Sequence, residues 1–235
     1  MQRALLALFI VPSLLFDVAA QVPGSWVTLS LNPRPFARER HAMVFDVARN
    51  ESVVFGGFNG AYMNDTWVLG PTGWTQRLPA NSPPARAGHA MAYDPVRQRT
   101  VLLGGTNGSA LTDIWEWDGV NWTLRSSNVV GLDSGGGATF DPLQGGVFFN
   151  LGNVNLLWNG TSANTVTVAQ PVGAGDAMVF HAGAGGVLRK EGGYTMRFTQ
   201  PQGWVSLGTN GAFGVNSYAT ADGSCLLSRP RSTGS

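Results

Sequence analysis

The stretch "HAMVFDVARNESVVFGG", His41 to Gly57, is followed by "HAMAYDPVRQRTVLLGG", His89 to Gly105. The two align without a gap at an offset of 48 residues, which also carries Trp67 onto Trp115 and Trp74 onto Trp122. Trp26 lies one further period before Trp74. Self-similarity at a period near 50 marks a repeat architecture whose units bury themselves against one another.

The pattern inside the unit decides which architecture. "HAMVFD" and "SVVFGG" are short β-rich runs joined by a polar turn, and after the glycine pair come a loop, "DTWVLG", a second turn and "WTQRL". The second copy reads "DIWEWD" and "WTLRS" in the same places. That is four strands per unit, with no stretch of helical periodicity. Four antiparallel strands, repeated, form the blade of a β-propeller.

These residues resemble the Kelch-repeat propellers. That family pairs two glycines at the end of the second strand with an aromatic in the third and a Trp about seven residues later. Here they are Gly56, Gly57, Trp67 and Trp74, then Gly104, Gly105, Trp115 and Trp122; the opening Arg-x-x-His also fits, at Arg38 to His41 and Arg86 to His89. The glycines are expected where chain segments approach too closely for a side chain. The tryptophans are expected to fill the space between blades, with Trp67 and Trp115 largely buried.

Later units are weaker. "GGATFDPLQGGVFFNLGN" keeps Asp141-Pro142 but has Asn150-Leu151-Gly152 in place of a glycine pair. A fourth unit opens at "DAMVFH" and recovers Gly192-Gly193 and "PQGW"; a fifth begins at "SYATADGSCLLS" and stops. The reading is an all-β, Kelch-like β-propeller of about five four-stranded blades. Units fall near 36–80, 83–127, 133–169, 172–209 and 213–230. The last is incomplete and closed by an N-terminal strand at 25–31, expected to pair with the hairpin near Tyr218 to Leu227.

The chain opens "MQRALLALFIVPSLLFDVAAQ": one Arg, an apolar run from Ala4 to Phe16, then Val18-Ala19-Ala20. This reads as a secretory leader over 1–20, leaving 21–235 as the mature propeller. The run is shorter than the roughly 18 to 20 residues of a membrane-spanning helix, so a span is not expected. The product would be secreted, periplasmic or on the cell surface.

Charged residues make up 12% of the 235, and the net charge is +1 with Lys190 as the single lysine. No basic stripe exists, which argues against nucleic acid and anionic membranes. The 43% apolar fraction can fill a core. Cys225 is the only cysteine and reads as a small buried hydrophobe rather than a nucleophile.

Candidate chemistry mostly repeats with the blade. His41 and His89 occupy equivalent places, as do Asp46, Asp94 and Asp141 after the first strand, where an Asp caps its own turn. Asp65 and Asp113 repeat before the third-strand Trp. No Cys/His/Asp spacing suits a metal, so neither metal nor other cofactor is expected. Five Asn-x-Ser/Thr sequons, at Asn50, Asn64, Asn107, Asn121 and Asn159, coincide largely with turn positions. Some extracellular propellers are oxidases or sialidases, but the sialidase Ser-x-Asp-x-Gly-x-Thr-Trp turn is missing.

Function is therefore expected in the unrepeated loops. Loops after the second strand and between blades share one end: "FNGAYMN" against "TNGSALT", and "NPRPFAR" against "PANSPPAR". Arg38, Phe58, Tyr62, Arg86 and Asn107 are the candidate binding groups. The reading is a non-catalytic binding or scaffolding module for a protein or glycan. Alternatives are a propeller-based hydrolase or oxidase acting on glycans, or part of a larger surface protein.

Overall fold

Each unit folds as one sheet of four antiparallel strands. The computed structural model describes residues 33–129, 136–151, 154–166, 178–191, 194–199 and 203–209. The expected leader, the strand at 25–31, the fifth unit and Gly192-Gly193 lie outside these residues.

The first blade is β1 (Ala42–Asp46), β2 (Glu51–Phe58), β3 (Tyr62–Gly70) and β4 (Gly73–Arg77). The second is β5 (Ala90–Asp94), β6 (Arg99–Leu103), β7 (Ile114–Trp117) and β8 (Trp122–Ser126). The third is β9 (Gly137–Asp141), β10 (Gly146–Asn150), β11 (Asn155–Trp158) and β12 (Ala163–Val166). The fourth is β13 (Met178–His181), β14 (Gly186–Glu191), β15 (Tyr194–Thr199) and β16 (Gly203–Thr209). Strand order follows chain order in every sheet. The first strands pack in succession, β1 on β5, β5 on β9 and β9 on β13, so they line the inside of the array. The fold is a β-propeller.

The turn between the first two strands is built the same way three times. Asp46 Oδ1 accepts the N–H groups of Ala48 and Arg49, Asp94 those of Val96 and Arg97, and Asp141 those of Leu143 and Gln144. Four residues after each aspartate the chain takes a left-handed conformation, at Asn50, Gln98 and Gly145. These aspartates are turn caps, as their repetition indicated.

Blades adhere through apolar seams. Between blades 1 and 2, Val53, Phe55 and Val68 meet Met91, Leu102, Trp117 and Trp122. Between blades 2 and 3, Val101, Leu103 and Ile114 meet Val147, Phe149 and Trp158. Phe148 leads the seam to Val187, Phe198 and Trp204. Indole N–H groups also cross seams. Trp122 Nε1 donates to Thr66 Oγ1 at 2.9 Å, Trp158 Nε1 to Glu116 Oε1 at 2.7 Å, and Trp204 Nε1 to Asn155 Oδ1 at 3.4 Å. These three indoles keep their polar atoms satisfied while their rings fill the gap.

The tryptophans divide differently from expectation. Trp67 and Trp122 are buried, but Trp115 and Trp74 are only half-buried. Trp117 takes the fully enclosed place beside Trp122, with ring centroids 5.4 Å apart. It lies two residues from Trp115, on the same strand face. In blade 1 that position is Leu69.

Candidate functional site

At one end of the blades the inter-blade segment is stitched to the loop after the second strand. Glu39 and Phe58 exchange backbone hydrogen bonds at 2.9 Å, and one period later Ala87 and Thr106 do the same. Gly57 N–H reaches across to the Arg86 carbonyl, and Arg86 N–H to Met63, both at 2.9 Å. The paired glycines make this approach possible. A Cβ on Gly56 would stand 2.7 Å from the Arg86 oxygen, and one on Gly105 2.8 Å from the Ala87 oxygen, with φ at +58° and +90°.

Arg38 and Arg86 anchor these segments. Arg38 Nη1 and Nη2 donate to the two oxygens of Asp65 at 2.5 and 2.8 Å, and Nη1 also reaches the Gly56 carbonyl at 2.9 Å. Arg86 repeats the pattern on Asp113 at 2.6 and 2.7 Å and on the Gly104 carbonyl at 2.8 Å. The side chains are 3% and 0% exposed. Their guanidinium groups are thus spent inside the protein, which corrects the expectation that they face a ligand. A bidentate fork matched to a carboxylate fixes both partners in orientation.

Each aspartate also accepts its neighbouring indole N–H at 2.7 Å, Asp65 from Trp67 and Asp113 from Trp115. Burial alone would raise these carboxyls, but the arginine and indole hydrogen bonds outweigh it and hold both below the usual range. The sequence carried a signal for this pairing: Arg and Asp recur at one separation, 38 to 65 and 86 to 113.

The same end holds the two histidines. His41 is exposed; its pKa is lowered by partial burial and then by Arg38. His89 is enclosed, edge-on to Phe55 with ring centroids 5.5 Å apart. The Phe55 backbone is close by, but among the described residues neither ring nitrogen meets a partner with hydrogen-bond geometry. Burial, then Arg86 and His41, push its pKa down to about 3, so the ring is neutral.

Above the clamps stand two hairpin tips. Asn59-Gly60 turns the first and Asn107-Gly108 the second, with glycine φ near +101° and +107°. Asn107 Oδ1 accepts Ser109 N–H at 3.3 Å within its own turn. Asn107 is exposed, but it repeats Asn59 and so does not distinguish the blades. What distinguishes them flanks the tip. Phe58 and Tyr62 form a half-buried edge-to-face pair, centroids 5.2 Å apart, where blade 2 has Thr106 and Ala110.

No known protein family matches the chain, and a search of curated proteins found no match. Among solved structures, one described as "YCF48 bound to D1 peptide" is similar at a TM-score of 0.50 and 12% identity, over 77% of this chain. The chain spans 59% of that structure's length. At this identity the likeness concerns the propeller fold.

Proposed function

We propose that this chain is an exported, Kelch-type binding module that recognises a protein partner through the hairpin-tip end of its blades, without a catalytic step. The observation that carries the reading is a difference set on a sameness. Matching buried Arg–Asp clamps hold two hairpins whose tips differ: an aromatic pair at Phe58 and Tyr62 against Thr106 and Ala110. Rigid, half-buried aromatics offer contact area at low entropic cost, as recognition surfaces do. A propeller of similar fold holding a peptide supports a peptide-like partner over a glycan.

Export rests on the opening residues. N-terminal sequencing of the mature protein is expected to begin at Gln21; an intact Met1 would refute it. The binding reading is tested by presenting the purified chain to a random-peptide library and a glycan array. Enrichment of a peptide family is expected. Enrichment of glycans alone, or of neither, would overturn a protein partner.

A further inference from the structure

The opposite end of the blades carries a second site. The turns β5–β6 and β11–β12 lie there, and between blades 2 and 3 they and strands β6, β7 and β8 border a cleft of about 250 Å³. Three guanidinium groups line it, from Arg97, Arg99 and Arg125, with one carboxylate, Glu116.

Glu116 is already saturated. Its Oε1 accepts from Arg97 and from Trp158 Nε1, and its Oε2 accepts Arg125 Nε at 2.8 Å. Asp94, behind the wall, takes Arg97 Nε at 2.8 Å. Arg99 has no carboxylate within salt-bridge distance among the described residues; its bonds go to the carbonyls of Gln98 at 3.0 Å and Arg97 at 3.4 Å. Nearby Asp118 is occupied by the N–H groups of Val120 and Asn121, at 2.8 and 2.7 Å. Arg97 Nη2 is buried with no partner among the described residues. The lining therefore holds three guanidinium groups against Glu116 alone, and the carboxylates behind and beside it, Asp94 and Asp118, are already engaged.

The mouth has the same donor character. Asn159 Oδ1 accepts the backbone and hydroxyl groups of Thr161 and Ser162, leaving its amide N–H₂ to face outward bonding. We propose that this cleft binds the carboxylate side chain of an acidic peptide, a site separate from the hairpin-tip surface. Arg99, with no carboxylate within salt-bridge distance among the described residues, matches one carboxylate, which a guanidinium grips in two places. A phosphate dianion would bring excess negative charge beside Glu116 and Asp118. Neutral sugars need acceptors as well as donors, and both oxygens of the one lining carboxylate, Glu116, already accept. Carbonyls flanking an acidic residue accept from the remaining donors.

The test is calorimetric titration of the full chain with a hexaglutamate peptide at low and high salt, using wild type, Arg99→Gln and Arg125→Gln. Saturable binding that weakens with salt is expected, with Arg99→Gln lowering affinity roughly tenfold or more. Arg99 holds no salt bridge, so this variant should keep the wild-type melting temperature. Phe58→Thr with Tyr62→Ala should leave hexaglutamate binding unchanged, which separates this site from the hairpin-tip reading. No binding by wild type, or equal binding by a folded Arg99→Gln, would overturn the proposal. Equal or tighter binding of inorganic phosphate or polygalacturonate through the same arginines would overturn the peptide assignment.

Discussion

Arg86 shows how a residue's surroundings reverse the meaning of its charge. Fully enclosed and forked onto Asp113, it sets the inter-blade segment against the next hairpin. Removing one partner of a buried pair strands the other, at a cost of about 3 to 5 kcal/mol. Arg86→Met should therefore lower stability by that amount in denaturant unfolding; a change below about 1 kcal/mol would contradict the clamp. His89 gives a second test. Its folded pKa, about 3, lies below the ordinary 6.5, so the unfolded chain binds the extra proton. Stability from this group is full above pH 6.5 and declines as pH falls toward 3, by up to about 1.4 kcal/mol per unit. Urea unfolding between pH 6.5 and 4 should show this slope, and His89→Gln should flatten it; an unchanged slope would place the titration elsewhere. Asp65 and Asp113, held low, lose their contribution only in more acidic solution.

At the scale of the strand and turn, the repeated residues are those each blade needs for closure. Gly105→Ala would drive a Cβ to 2.9 Å from that of His89 at a positive φ, a strain of roughly 1 to 3 kcal/mol before any shift of neighbours. Trp67→Ala would empty a buried site at about 3 to 5 kcal/mol. Both should appear as lower melting temperatures, and a silent Gly105→Ala would undo the close-approach argument. Much of this was legible because it is local and periodic: four strands, Asp-capped turns and glycine pairs each recur at one offset. Pairings between distant segments were harder. The two arginines were singled out as ligand contacts, since a sequence shows their charge but not the aspartate 27 residues on that absorbs it. Trp115 and Trp117 lie on one strand face, and only the packed neighbour, Trp122, decides which is enclosed.

Across the whole molecule, stability should be highest in the second strands of the middle blades and lowest in the fourth strands. β6 and β10 are almost wholly buried, whereas β4, β8 and β12 present mostly exposed or half-exposed residues. Hydrogen exchange should be slowest in β6 and β10 and fastest in β4 and β12; the reverse order would contradict the blade arrangement. The arginine cleft was invisible in the sequence, because its residues come from two turns and three strands spread over two blades. Under the proposed function, repetition supplies the scaffold and the unrepeated hairpin tip supplies recognition. This is tested most directly by giving blade 1 the tip of blade 2, Phe58→Thr with Tyr62→Ala. Melting and capture of a peptide selected on wild type are then measured side by side. Stability within about 0.5 to 1 kcal/mol of wild type and capture reduced tenfold or more are expected. Undiminished capture by this folded variant would contradict it.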